Sequence, residues 1–116
     1  MTVALFFVAS MMYQVNGIET IDVVASWYYK PGREMAWDGK KFDPDDGTII
    51  ASNTFPKGTR LKLTYAKTGV SAIGQVVDRM PHHKKRQLDV CMKMAERLGA
   101  KDDGVVHLKA ERLPDQ

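Results

Sequence analysis

Residues 59–65 alternate without a break. Leu61, Leu63 and Tyr65 share one face of an extended chain, and Arg60, Lys62 and Thr64 share the other. Side chains along a strand point to opposite faces with period 2, so this stretch buries one face and wets the other. Lys67-Thr68-Gly69 supplies turn residues, and residues 70–77 return as the partner strand of a β-hairpin. Gly74 inside the returning strand marks a bulge or a close backbone crossing. Other stretches read the same way. Residues 23–29 are β-prone until Lys30-Pro31-Gly32 stops them, residues 48–52 form a short apolar run, and Asn53 to Gly58 reads as a turn. Near the end, Val106, Leu108 and Ala110 alternate with Val105, His107 and Lys109 before Pro114. A single helical stripe interrupts the strands: Cys91, Met94, Ala95 and Leu98, spaced i, i+3, i+4, i+7. Asp89 stands ahead of it as a cap for free backbone N–H groups, and Gly99 follows as a C′ residue. The expectation is a mostly β domain closed into a barrel, since closure removes exposed edges.

The chain has 116 residues, which suits one domain and a core that needs no staples. Cys91 is the one cysteine, so no internal disulfide is available. It lies on the helix stripe and reads as core, because no histidine stands at a spacing that pairs with it. The net charge of +3 suits an acidic polymer or surface. It does not argue for nucleic acid, for which no recognisable module is present. Residues 1–17, MTVALFFVASMMYQVNG, carry no charged side chain. Val3 to Ala9 is too short to span a bilayer, and Val15-Asn16-Gly17 and Val8-Ala9-Ser10 are small-residue cleavage patterns. The segment reads as an export signal, in competition with a first buried strand behind a disordered start. The folded domain is then residues 18–116. No cysteine lies near this segment, so a stable membrane anchor through a processed cysteine is not expected.

Two regions carry candidate chemistry. Gly32 to Gly47 is rich in Gly, Asp and Pro and reads as a long loop, a length usually functional or disordered in a small domain. Trp27, Tyr28, Tyr29 and Trp37 flank or occupy it. Alternation buries Trp27 or Tyr28 but not both, and Trp37, inside the loop, is the better platform for stacking on a sugar. The second region is GQVVDRMPHHKKRQLDV, Gly74 to Val90. An apolar strand ends in Asp78, a turn follows at Pro81, and His82-His83-Lys84-Lys85-Arg86 forms a cationic cluster. Such a run is usually a solvated loop; the functional reading is a rim for an anionic polymer. Two adjacent histidines with no clearly spaced third ligand do not make a zinc site.

Seven short motifs in order resemble the rare lipoprotein A family. They are Ala25-Ser26-Trp27-Tyr28, Gly39-Lys40-Lys41-Phe42-Asp43, Ile50-Ala51-Ser52, Phe55-Pro56-Lys57-Gly58-Thr59, Val77-Asp78-Arg79-Met80-Pro81, Arg86-Gln87-Leu88-Asp89 and Ala95-Glu96-Arg97-Leu98-Gly99. No one of them is specific; their order from about Val24 to about Leu113 is. The resemblance implies a six-stranded double-psi β-barrel with one or two short helices, a fold shared with expansins and barwin-like proteins. It implies an exported, monomeric protein of the periplasm or cell wall that acts on peptidoglycan glycan strands. The implied reaction is lytic: cleavage of the β-1,4 bond between N-acetylmuramic acid and N-acetylglucosamine, leaving a 1,6-anhydro end, with no metal or organic cofactor.

The resemblance makes Asp78 the catalytic carboxylate in a surface groove, against a structural reading in which it satisfies turn amides before Pro81. Trp37, Lys40, Arg79, His82, Lys84 and Arg86 are the expected substrate-binding residues, and Asp43 and Asp89 the structural acids nearby. Two departures stand out. Lys40 occupies the place of the family's second carboxylate, a glutamate, and a protonated lysine cannot serve as that acid at neutral pH. Asp38, Glu34 or Asp43 are the nearby substitutes. Met80 replaces the glycine after the aspartate–arginine pair. Three readings follow: a lytic transglycosylase, a non-catalytic peptidoglycan-binding barrel, and an interaction module on the same scaffold.

Overall fold

The computed structural model describes residues 12–15 and 18–115. Among the described residues seven strands run in chain order: β1 (Met12–Val15), β2 (Ile18–Tyr28), β3 (Ile49–Ser52), β4 (Arg60–Tyr65), β5 (Val70–Asp78), β6 (Leu88–Cys91) and β7 (Val106–Arg112). One helix, α1 (Met92–Leu98), and a 3₁₀ turn (Lys101–Asp103) lie between β6 and β7. Around the sheet the order is β2-β6-β3-β5-β4-β7, and β7 pairs back onto β2, so six strands close a barrel. Two of the pairings, β2 with β6 and β3 with β5, are parallel; the other four around the ring are antiparallel. β1 pairs with β2 alone and lies outside the closure. The export-signal reading of residues 1–17 falls largely on residues 1–11 and 16–17, outside those described.

The barrel interior is filled by the apolar positions that alternation marks. Val23 and Ala25 of β2, Leu61 and Leu63 of β4, Val76 of β5, and Leu108 and Ala110 of β7 are all buried. β3 and β6 show no alternation, because all four residues of each are buried. β6 was not expected as a strand: Leu88-Asp89-Val90-Cys91 is only four residues long and contains an aspartate, a poor strand former. Its parallel register with Ala25–Tyr28 of β2 decides the conformation. The expected helix cap at Asp89 is corrected by this strand. The N-cap is Cys91, without a side-chain cap hydrogen bond, and Asp89 sits inside β6.

Helix α1 closes one side of the barrel with Met94, Ala95 and Leu98. Gly99 ends it at φ 75°, in the left-handed region that favours glycine. Gly74 of β5 is the close crossing. A Cβ there would lie 2.6 Å from the Thr48 carbonyl oxygen and 2.6 Å from Met94 Cε. The register slip lies elsewhere, between Ile50 and Ala51 of β3 against β5.

Candidate functional site

The long loop between β2 and β3 folds back on itself. Glu34 and Lys41 form a β-bridge, Phe42 N–H donates to Arg33 O (2.7 Å) and Met35 N–H donates to Lys40 O (2.8 Å). Met35 and Phe42 anchor it in the core, with Phe42 edge-on to Tyr28 at 5.2 Å. Trp37 N–H then donates to Val77 O (3.0 Å), which lays the loop along the end of β5.

Asp78 ends β5 beneath that loop, and its side chain is 1% exposed. The open groove position expected from the resemblance is therefore covered. Each carboxylate oxygen has two donors. Oδ1 accepts from Ala36 N–H (2.8 Å) and Arg79 N–H (2.9 Å), both main chain. Oδ2 accepts from Tyr28 OH (3.0 Å) and pairs with Lys30 Nζ at 2.6 Å. Lys30 is 27% exposed, so it is the donor at the boundary with solvent. Its ammonium also donates to Glu34 O (3.3 Å). Burial, then the charge and hydrogen bond of Asp78, pushes the Tyr28 hydroxyl far above its ordinary pKa, so it remains a neutral donor.

Along the end of β5 lies a depression of about 260 Å³, lined by Trp37, Asp38, Lys40, Lys57, Gln75 and Val77 among others. Arg79 stacks its guanidinium over the Trp37 ring, 4.9 Å from the centroid. Trp37 is half-buried and keeps its other surroundings open to the depression, while its indole N–H is buried without a partner. Asp38 Oδ1 accepts the Lys40 N–H (2.9 Å), and Asp43 Oδ1 accepts the Asp45 N–H (2.9 Å), so both acids tie down turns of the loop.

The cationic loop is pinned at both ends and exposed in the middle. Asn53 Nδ2 donates to Met80 O (2.6 Å), and Gln87 exchanges hydrogen bonds with Val24 at 2.8 and 2.9 Å. His82, His83, Lys84 and Lys85 are exposed between these pins. Arg86 is not part of that rim: its Nε lies 3.0 Å from Asp89 Oδ1, which also accepts from Ser26 Oγ (2.5 Å). Asp89 thus ties β6 to β2 and holds the loop's end.

The structure brings Asp78, Trp37, Arg79 and Lys40 to one end of the barrel. Two partners were missed in the sequence. Lys30 reads there only as part of a strand stop, and Lys57 as a turn residue within one of the quoted motifs, with no site role. Trp27 and Tyr28 are both half-buried rather than one in and one out, each holding a polar partner: Trp27 Nε1 donates to Lys101 O (3.0 Å) and Tyr28 to Asp78.

A six-stranded ring with two parallel pairings defines a double-psi β-barrel. Two solved structures share this fold: Streptomyces papain inhibitor, at TM-score 0.64 and 18% identity over 82% of this chain and 94% of that one, and cerato-platanin 3 from M. perniciosa, at TM-score 0.58 and 14% identity over 81% and 95%. No family model matches the chain. Its curated relatives are closer. The endolytic peptidoglycan transglycosylase RlpA of Rickettsia felis is 36% identical over 97 residues, 79% of this chain and 42% of that protein. The protein of the same name from Neisseria meningitidis serogroup A is 35% identical over 91 residues, 77% of this chain and 37% of that protein. A probable endolytic peptidoglycan transglycosylase RlpA of Aquifex aeolicus is 36% identical over 91 residues, 77% and 39%. The chain belongs to the RlpA-like double-psi β-barrel family. It spans less than half the length of these curated relatives.

Proposed function

We propose that this domain cleaves peptidoglycan glycan strands outside the cytoplasmic membrane, in the manner of a lytic transglycosylase, with Asp78 as its single carboxyl. The observation that carries the reading is the asymmetry of the Asp78 donors. Oδ1 is held by two main-chain N–H groups, whereas Oδ2 meets Lys30, a long side chain that is partly in solvent. When Lys30 swings out, Oδ2 is free to face a sugar while Oδ1 stays fixed, which is the preorganisation a catalytic carboxyl needs.

One carboxyl is enough for this chemistry. The bond from C1 of the muramyl residue to the leaving O4 breaks, and the muramyl O6 bonds to C1. The proton lost from O6 is matched by the proton gained at O4, so no water enters. A single group that gives the one and takes the other closes the balance. Trp37 supplies an aromatic face for a neighbouring sugar. Residues 1–17 serve as the export signal and residues 18–116 as the working domain. β1 pairs outside the ring, so removing residues 1–17 leaves all six barrel strands in the chain.

A second reading has its own support: Lys40 replaces the family's second carboxylate, and every acceptor position of Asp78 is filled at rest. On that reading the domain binds the wall without cutting it. Mass spectrometry of purified glycan strands after incubation separates the two. Anhydro-ended products that vanish in Asp78→Asn support cleavage; retention on sacculi without products supports binding alone; neither result leaves only the interaction module.

A further inference from the structure

From Arg79 to Leu88 the chain carries no acidic residue, while His82, His83, Lys84 and Lys85 are exposed one after another. The acids at either end of this stretch do not offset them. Asp78 is buried and held by Lys30, Tyr28 and two main-chain N–H groups, and Asp89 is buried against Arg86 and Ser26. The two arginines of the stretch are also taken: Arg79 lies over Trp37, and Arg86 pairs with Asp89. Lys84 and Lys85 have no ion-pair partner among the described residues. The loop that carries them has a defined shape. Between its pins at Met80 and Gln87, His83 Nδ1 accepts the Lys85 N–H (3.1 Å), which closes a short turn with Lys84 at its tip.

We propose that this tip docks reversibly on an anionic phospholipid surface and meets it at the level of the headgroup phosphates. The docking goes beyond the glycan reading and does not depend on it. A lysine ammonium is a compact point charge on a flexible stem, suited to a diffuse layer of phosphates; the planar fork that grips a single phosphate belongs to arginine, and both arginines here are turned to other partners. The free cations follow one another at a tip, and a tip meets a plane, whereas a polymer backbone is tracked by cations spread along a groove. No aromatic side chain lies between Arg79 and Leu88, so nothing in the stretch stacks on a nucleic-acid base. Its large apolar side chains, Met80 and Leu88, are buried, so nothing inserts among acyl chains and the contact is electrostatic.

Cosedimentation of the full chain tests this with two kinds of vesicle: phosphatidylcholine alone, and phosphatidylcholine with phosphatidylglycerol. Each lysine near an anionic surface strengthens binding roughly fivefold, so the two together give a preference of about thirtyfold for the anionic vesicles at low salt. Residues 1–17 are common to both arms and to every variant, so apolar binding through them cancels in the ratio. The preference shrinks toward unity at 0.5 M NaCl, where the Debye length falls to about 4 Å. It also collapses in Lys84→Gln/Lys85→Gln, whose two sites are exposed, and persists in Lys84→Arg/Lys85→Arg, which keeps both charges. Equal partitioning onto both vesicles, or onto neither, overturns the proposal, as does a preference that survives in the glutamine variant. Release by soluble polyglycerol phosphate, at a phosphate concentration far below that of the lipid, assigns the loop to a polymer and overturns the lipid surface.

Discussion

Replacing Lys30 by methionine tests the arrangement at Asp78 directly. The pair is short, 2.6 Å, with one partner 1% and the other 27% exposed. Exposed ion pairs contribute about 0.2–1 kcal/mol, and breaking a fully buried pair costs about 3–5 kcal/mol. Lys30 reaches solvent and Asp78 does not, so the screened value falls between these limits, near 2 kcal/mol. It does not reach the upper limit, because Tyr28 and the two main-chain N–H groups still hold the carboxylate. Methionine keeps an unbranched stem beside Tyr28, so packing changes little. With a urea slope of about 1–2 kcal/mol/M for a domain of this size, the unfolding midpoint drops by roughly 1–2 M at unchanged slope. The same variant separates a cover from a catalyst. If Lys30 only shields Oδ2, glycan turnover in Lys30→Met does not fall, and KM does not rise. A midpoint shift worth less than about 0.5 kcal/mol refutes the pairing argument, since that is the size of an ordinary surface effect. Loss of turnover with a cooperative, native-like unfolding curve refutes the cover argument, and makes Lys30 part of the reacting site.

Three other outcomes follow from the same packing and hydrogen bonds. Asp78→Asn keeps an oxygen for the two main-chain donors and sets an amide against Lys30; cleavage is lost while stability falls by about 1–3 kcal/mol, whereas Asp78→Ala strands those donors and costs about 3–5 kcal/mol in denaturant titrations. Equal stability of the two variants would show that the Oδ1 hydrogen bonds contribute nothing. Gly74→Ala drives a methyl against the Thr48 carbonyl and Met94; a cost of about 2 kcal/mol lowers Tm by roughly 8–16 °C on a circular-dichroism melt, and an unchanged Tm contradicts the crossing. Tyr65 OH (2.5 Å) and Lys67 Nζ (3.0 Å) hydrogen-bond to Asp103 and, in that order, hold its carboxyl below the usual carboxylate range. A depressed folded-state pKa contributes stability above the unfolded value, near 4, that is lost as pH falls through the folded value. The stability difference between wild type and Asp103→Asn is therefore level from pH 5 to pH 8 and shrinks in acid; a difference that stays level down to pH 2 contradicts the pairing.

Local pattern was sufficient wherever one face of an element is wet. The hairpin of β4 and β5, the core face of β7 and the stripe on α1 all follow from period 2 or period 3.6, and each is buried where the pattern puts it. It failed where both faces are covered. β6 has no alternation to read, and its aspartate argued for a helix cap; only the distant pairing with β2, more than sixty residues away, makes it a strand and turns Asp89 toward Ser26. The site divides along the same line. Asp78 and Lys40 stand in motifs of fixed order, visible in one dimension, and Trp37 stands in the loop between two of them. Lys30 and Lys57 stand in a strand stop and a turn, where a lysine is the least informative of residues.

Those two lysines matter because they make the chemistry of this end of the barrel different from what its motifs suggest. An open pair of carboxylates would offer an acid and a base to any sugar that arrived. Here one carboxylate is closed off by Lys30 and the other position carries Lys40, beside Lys57 and Arg79.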